Sequence, residues 1–112
     1  MSTSAPPVGP ADAAVFAALG DATRLTLLAT LGTTGASTAT RLAAPLPVTR
    51  QAVSRHLRVL EDAGLVRTSK QGRDVLYAVD VEAVAARADW LASVSRAWDR
   101  RLDDLRTRAE RR

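Results

Sequence analysis

Hydrophobic residues cluster on one face in three stretches of the first 63 residues, which predicts three amphipathic helices, and a capping residue with a later proline marks a fourth, short helix among them. The first helix spans about residues 11 to 19, and Gly20 follows it as a C-terminal cap. The second begins after the N-cap Asp21 and spans about 22 to 31, because Gly32 is expected to end it.

Helices three and four are predicted to be joined by a tight, proline-bound connection. Helix three starts after Ser37 or Thr38, either of which can serve as its N-cap, and must stop before Pro45, since the residue preceding a proline disfavours helical geometry. Thr49 is a good N-cap for helix four, which spans residues 49 to 63. Helix three is therefore expected to be barely two turns long.

Helix four separates its side chains into two faces. At about 100° per residue, Val53, Leu57 and Leu60 cluster on one side. The residues at the opposite side or its edge are basic or polar: Arg50, Gln51, Ser54, Arg55 and Arg58. One face suits a protein core, and the other suits a polar or anionic partner.

Two β-prone runs and one long helix complete the chain. Residues 65–68 and 75–79 flank a glycine-containing link, residues 69–74, so the segment 65–79 is predicted to form a hairpin. From residue 81 to 109, neither glycine nor proline interrupts a series of apolar or small residues spaced four and three apart. That spacing is typical of a coiled-coil seam and predicts one long helix.

Length and composition limit the chain to one small domain. It has 112 residues, of which 46% are apolar, and no cysteine, so a disulfide framework is excluded. Residues 1–10 are expected to form a disordered tail, which leaves residues 11–112 as the domain. No apolar run reaches the roughly 20 residues of a membrane span, and the N-terminus lacks the features of a secretory signal. We therefore expect no membrane association and a cytoplasmic location.

The positive charge of the chain is local. The formal net charge is +4, and residues 49–73 alone hold six basic side chains against two acidic ones, while the flanking segments are balanced. Such a basic stretch indicates a binding surface for a polyanion, and a solvated face is the plain alternative.

The composition leaves little room for enzymatic or metal chemistry. Transition-metal and nucleophilic sites draw mostly on Cys and His, and His56 is the single histidine. It projects to the apolar side of helix four, which favours a packed, hydrogen-bonded core histidine over a metal-binding or proton-sensing one. We predict no catalytic residue, no metal site and no cofactor, and expect that the chain is not an enzyme.

The order of the elements is that of a winged helix-turn-helix. The predicted class is mainly α (α+β), in the order α-α-α-α-β-β-α, with a long C-terminal helix. In that plan helix four fits the major groove of DNA, and helix three lies across the backbone. The hairpin is then a wing whose tip, with Lys70 and Arg73, can reach phosphates or a neighbouring minor groove.

Three motifs follow one another along the chain: Leu19–Leu25 entering helix two, Val53–Val66 from helix four onwards, and Gly72-Arg73 followed by Tyr77. Together they resemble the ArsR-type (ArsR/SmtB-like) winged-helix repressors, over about residues 11–110. The resemblance implies a homodimer, built on the first and last helices, that binds an imperfect palindromic operator and silences the genes behind it. In family members with a sensing site, an effector lowers the affinity for the operator.

The resemblance also implies which residues contact DNA. Gln51 suits a bidentate contact to adenine, and Arg50 or Arg55 suits guanine or phosphate; a solvated surface residue is the alternative for each. The DNA-contacting candidates on helix four, with Arg58 from the same polar face, and on the wing are Thr49, Arg50, Gln51, Ser54, Arg55, Arg58, Lys70, Gln71 and Arg73.

The last helix, together with the first, is expected to form the dimer interface. Large rings such as Trp98 and its neighbour Trp90 supply buried area in such a seam, and a small apolar ligand pocket beside them is the lesser alternative. The interface candidates are Phe16, Leu91, Trp98, Leu102 and Leu105.

Two departures from the family pattern bear on function. Metal-sensing members place cysteines near the start of helix three, or His and acidic ligands on the last helix; here Thr38 and Thr40 occupy the first region, and the last helix has no His or Cys. Metal and thiol-redox sensing are therefore not expected. Pro45 and Pro47 replace the usual glycine or small polar residues before helix four, which leaves the angle between helices three and four open.

The sequence thus predicts a homodimeric repressor that binds double-stranded DNA and leaves room for an unidentified small-molecule effector. Two alternatives stay open. One is a winged-helix module that docks a protein partner through its wing or long helix, and the other is a non-specific DNA-binding protein.

Overall fold

The computed structural model describes residues 9–111. In this part of the chain the fold is helical with an antiparallel hairpin, in the predicted order of elements, which confirms the predicted class. Residues 1–8 of the predicted tail lie outside the described residues, whereas Gly9 and Pro10 form the start of the first helix. The elements are α1 Pro10–Ala18, α2 Ala22–Thr34, α3 Ala39–Ala43, α4 Arg50–Asp62, β1 Val66–Gln71, β2 Asp74–Val79 and α5 Val81–Glu110.

Three predicted helix starts are confirmed by side-chain caps. Asp21, Thr38 and Thr49 each accept a hydrogen bond from the backbone N–H three residues ahead, at 3.0, 3.2 and 3.1 Å. Each cap satisfies one of the free N–H groups at a helix start. The caps therefore fix where α2, α3 and α4 begin, and with that the length of the turn between α3 and α4.

The predicted end of α2 is wrong. Gly32 lies inside the helix, which continues to Thr34 and ends at Gly35, where φ is 85°. A glycine inside a helix costs only about 1 kcal/mol relative to alanine, and the buried Leu31 holds this part of the helix against the core. The backbone leaves the helix only at Gly35, whose conformation other residues rarely adopt.

The core lies where α1, α2 and α4 meet the base of the hairpin. Burying a side chain of valine or leucine size stabilises the fold by about 1.5–3 kcal/mol. Because α4 supplies half of the largest fully buried side chains, the core fixes which way its opposite face points. These side chains are Val15, Leu27, Val53, Leu57, Leu60 and Leu65.

The strands of the hairpin are longer than predicted. Pairing runs from Val66 opposite Val79 to Gln71 opposite Asp74, so the expected six-residue link is mostly strand. The turn consists of Gly72, at a φ of 62°, and Arg73. Polar side chains on both faces of this tip gave no alternation from which the strands could be predicted.

A short backbone pairing that the sequence did not reveal anchors the hairpin. The Ser37 N–H donates to the carbonyl of Tyr77 at 3.0 Å, and the Tyr77 N–H donates to the carbonyl of Ser37 at 2.8 Å. Ser37 directly precedes the N-cap of α3. The wing is therefore fastened to the first helix of the helix-turn-helix.

Helix α5 begins beside the core and extends far beyond it. Ala83 and Val84 pack against the core, but none of the 30 residues of α5 is buried. At 1.5 Å per residue the helix is about 45 Å long. The described chain measures 68 Å in its longest direction.

Within residues 9–111, no single helix combines the length and hydropathy of a membrane span. The pair Ala11–Ala18 and Ala22–Thr34 is long and apolar enough when the two helices are counted together, but the chain bends by 95° at the break between them.

We expect Asp80→Ala to lower the free energy of unfolding at neutral pH. The Asp80 carboxylate accepts from the Ala83 N–H at 3.1 Å and from the Arg67 guanidinium at 3.0 Å, and these two contacts, in that order, hold its pKa below the ordinary 3.8. Because the folded-state pKa is the lower one, the stabilisation is present above about pH 4 and is lost as the pH falls through the folded value.

Urea unfolding of the two proteins at pH 7 and at acidic pH checks this expectation. The difference between wild type and Asp80→Ala should be clear at pH 7 and shrink in acid. Asp99→Ala, at an exposed position of α5, serves as the control with the same change in charge. A difference that is the same at both pH values would contradict a role for the carboxylate charge.

Candidate nucleic-acid interface

Helices α3 and α4, with the turn between them, form a helix-turn-helix. Val53, Leu57 and Leu60 of α4 are fully buried, so the face that carries them is turned into the core. The opposite face is turned to solvent along the whole helix. Five of the six predicted DNA-contacting residues at this helix are exposed and Ser54 is half-buried; the exposed ones are Thr49, Arg50, Gln51, Arg55 and Arg58.

The wing adds a second group of exposed polar side chains. Lys70, Gln71 and Arg73 lie at or next to the tip of the hairpin, and all three are exposed. Arg67, near the base of the hairpin, is different, because its guanidinium forms an ion pair with Asp80 at 3.0 Å. The basic stretch of the sequence therefore loses one of its six cations to an acid of the same chain.

The other five cations of this stretch form no such ion pair. In the described part of the chain, the basic side chains within ion-pair distance of an acid are His56, Arg67, Arg87 and Arg106, and none of these belongs to the five. Unpaired guanidinium and ammonium groups on an exposed surface create a positive potential that attracts anions. The exposed cations of the α4 face and the wing tip, here called the basic surface, are Arg50, Arg55, Arg58, Lys70 and Arg73.

Comparison with known proteins agrees with this geometry. A family of helix-turn-helix domains matches residues 19–69. The uncharacterized HTH-type transcriptional regulator YuzN of Bacillus subtilis is 42% identical over 66 residues, which are 54% of this chain and 72% of that protein. An ArsR-like transcriptional regulator from Rhodococcus sp. RHA1 superimposes with a TM-score of 0.74 at 40% identity, over 87% of this chain and 91% of that one.

A further solved structure, of an ArsR family transcriptional regulator, has a TM-score of 0.71 at 35% identity and covers 80% of this chain and 97% of its own. The chain belongs to the ArsR family of transcriptional regulators. It is thus a DNA-binding winged helix-turn-helix protein, and the resemblance seen in the sequence motifs is confirmed.

In this ArsR family chain, His56 lies in a polar cluster with Arg24 and Asp21, here called the polar corner. Its side chain is 25% exposed, its Nδ1 accepts a hydrogen bond from the Arg24 guanidinium at 3.3 Å, and Asp21 Oδ2 lies 3.8 Å away. Because a guanidinium only donates, a neutral His56 ring carries its proton on Nε2. His56 is hydrogen-bonded, as predicted, but it is half-buried among charged groups and not in the apolar core.

The same corner ties three elements together. Arg24 Nε donates to the carbonyl of Ala18 at the end of α1, and the Arg24 N–H donates to Asp21 at 3.0 Å. This backbone hydrogen bond, with smaller effects of the nearby His56 and Arg24 charges, lowers the pKa of Asp21 from its ordinary value. The corner therefore helps to hold α4, and so its basic face, against α1 and α2.

The predicted dimer residues divide into two groups. Phe16 is half-buried against Trp90 of the same chain, with ring centroids 5.4 Å apart, and Arg87 pairs with Asp12 at 3.3 Å beside them. These contacts fasten α1 to α5. The remaining candidates are large apolar side chains with 42–58% exposure on α5: Leu91, Trp98, Leu102 and Leu105. They form an exposed apolar stripe along this helix.

From the sequence, an apolar ligand pocket beside Trp90 and Trp98 is the lesser alternative to dimer packing, and no metal site is predicted. A shallow depression of about 320 Å³ lies on α5 between Ala97 and Arg108, and neither Trp90 nor Trp98 lines it. Among residues 9–111, no group of three or more His, Cys, Asp or Glu side chains is close enough together to hold a metal ion.

Proposed function

We propose that this ArsR family regulator is a homodimeric repressor that recognises an imperfect palindromic operator through α4 and the wing. The observation that carries the proposal is the two-sided construction of α4. Its apolar side is fully buried, while its other side presents Gln51, Arg55 and further polar groups to solvent beside the wing cations. Arg and Gln are the side chains that pair with guanine and adenine edges in the major groove.

The apolar stripe of α5 supports the dimer. Trp98 and Leu105 are 58% and 54% exposed in the single chain, a large apolar surface for a small protein to leave in water. Packing two copies of α5 against each other covers the stripe with a surface of the same kind. The two α4 helices of the dimer then enter successive major grooves, with half-site centres about 34–36 Å apart.

A gel-shift titration against the DNA upstream of its own gene tests the proposal. We expect a retained complex at low salt that is at least about 10³-fold tighter than the complex with random DNA of equal length. The affinity should fall steeply with salt, because each neutralised phosphate releases counterions. Absence of any complex at low salt would favour a protein-interaction module, and equal affinity for both duplexes would favour non-specific binding.

The proposal includes no metal sensor. Thr38 and Thr40 stand where metal-sensing members of the family carry cysteines, and α5 contains neither His nor Cys. We expect zinc or arsenite to leave the operator affinity unchanged in the titration above. Release of the DNA by either ion would overturn this part of the proposal. The proposed repressor acts in the cytoplasm. The proposal leaves room for an unidentified small-molecule effector.

A further inference from the structure

A polar cleft of about 190 Å³ lies between α3, the N-terminal half of α4 and the wing. Arg50 and Arg73 reach it from α4 and from the hairpin turn. Three hydroxyl-bearing residues, Thr40, Ser54 and Tyr77, line it as well, and so does one acid, Asp74. The cleft thus brings together cations and hydroxyl donors from two neighbouring helices and the hairpin.

The polar groups of this cleft are uncommitted. Among residues 9–111, neither guanidinium forms an ion pair. The hydroxyl groups of Thr40, Ser54 and Tyr77 form no hydrogen bond within the same part of the chain. Two forked cations and three hydroxyl donors against one carboxylate favour a compact anion with several acceptor oxygens.

We propose that this cleft binds a single phosphate group. Guanidinium groups match phosphate oxygens in a bidentate manner, and hydroxyl groups can satisfy the remaining acceptors. The chemistry fits a phosphodiester of the DNA backbone and also a free phosphate ion. The DNA source rests on the proposed function and is the one we expect, because the cleft opens between the α4 face and the wing.

The backbone pairing of Ser37 with Tyr77 makes the cleft a preformed site. Its two hydrogen bonds, of 3.0 and 2.8 Å, fasten β2 to the residue that precedes the α3 cap. This pairing holds the hairpin beside α3, so the backbone segments that carry Arg50 and Arg73 border one cleft. A site whose backbone is already in place loses less conformational entropy on binding than one that must first assemble. Asp74 weakens the attraction for a free ion, which favours a phosphate delivered by a duplex that is bound elsewhere too.

Titration with inorganic phosphate tests the cleft without DNA. Tyr77 is the only tyrosine of the chain, so its ring resonances in NMR report on this place alone. We expect a saturable shift with phosphate and none with sodium chloride at equal ionic strength. Arg73→Ala should weaken the phosphate binding about tenfold, the loss expected for one charge-assisted contact. Arg41→Ala, an exposed arginine of α3 outside the cleft, should not change it.

A second arm uses operator DNA and fluorescence anisotropy. Arg73→Ala should reduce the slope of log K against log salt by about 0.9, the value for one lost phosphate contact. Tyr77→Phe should weaken binding without changing the slope, because it removes a hydroxyl and no charge. Asp74→Asn should strengthen binding more than Asp62→Asn does, which makes the same change in charge at the end of α4.

The two arms separate the sources of the phosphate. Effects in the DNA arm identify a backbone phosphodiester, and effects in the ion arm alone identify free phosphate. If phosphate causes no saturable shift of Tyr77 and the DNA arm distinguishes none of the cleft variants from their controls, the inference is overturned. If the wild type binds no duplex, the proposed function fails, and the phosphate titration alone decides about the cleft.

Discussion

We expect Trp98→Glu to sediment as a monomer at concentrations at which the wild type is a dimer. Trp98 lies in the middle of the apolar stripe, between Leu91 and Leu105, and is the most exposed of the large side chains there. Removing a central aromatic anchor costs about 2 kcal/mol or more, and a symmetric dimer loses it twice. A carboxylate in an apolar interface adds a desolvation penalty.

The same variant should lose most of its affinity for the operator. A monomer contacts one half-site, so the contribution of the second, linked half-site disappears, a loss on the order of 10²-fold or more. Analytical ultracentrifugation followed by anisotropy on the same sample measures both effects.

Ala92→Glu provides the matched control for Trp98→Glu. Ala92 is exposed on α5, about 120° around the helix from Trp98, so its carboxylate points away from the stripe. This variant should remain a dimer and bind the operator as the wild type does. Should Trp98→Glu also sediment as a dimer, the stripe is not the interface and the α5 part of the proposal is wrong.

The second large effect is expected at the DNA-facing side of α4. Gln51→Ala and Arg55→Ala should each weaken operator binding by about 1–3 kcal/mol, the discrimination that one bidentate base contact provides. Both side chains are exposed, so their removal should leave the thermal stability unchanged. Anisotropy titrations with operator and with random DNA measure the specific part of the loss.

A comparison with Arg101→Ala isolates the base contacts. Arg101 is an exposed cation on α5, and its removal changes the net charge as Arg55→Ala does without touching α4. It should alter the operator affinity only slightly. An equal loss of affinity for operator and random DNA in the Gln51 and Arg55 variants would mean that both side chains contact only the DNA backbone.

The helices could be predicted because their signals are local. In α4, the N-cap Thr49 and the spacing of Val53, Leu57 and Leu60 lie within one stretch of chain, and the structure confirms the start of the helix and its buried face. Hydrophobic periodicity determines which face of a helix packs, and therefore also which face stays in solvent. The position of the basic surface follows from the sequence for this reason.

Signals that depend on context were read wrongly. Gly32 and Gly35 both suit a helix end, and only the packing of Leu31 against the core decides between them. Side chains at the hairpin tip are polar on both sides, so backbone hydrogen bonds set the length of the strands there. Neither the end of α2 nor the length of the two strands can be predicted from neighbouring residues alone.

Contacts between distant elements could not be predicted either. The Arg67–Asp80 ion pair, the Ser37–Tyr77 backbone pairing and the cleft beside Arg50 all join residues that are not neighbours in sequence. Asp80 caps α5, and its second contact, with a wing residue, depends on the fold. The sequence therefore predicted which residues belong to the candidate site, but not how these residues are arranged relative to one another.

The exposure of the distal half of α5 affects how repression depends on the concentration of the protein. Every described residue after Ala97 is exposed, so this segment has no stabilising partner in its own chain. In the proposed dimer, the apolar side chains of this segment are covered only when two chains associate, and at low abundance the chains separate. Repression would then rise more steeply than in proportion to the number of chains, so that gene control has a threshold.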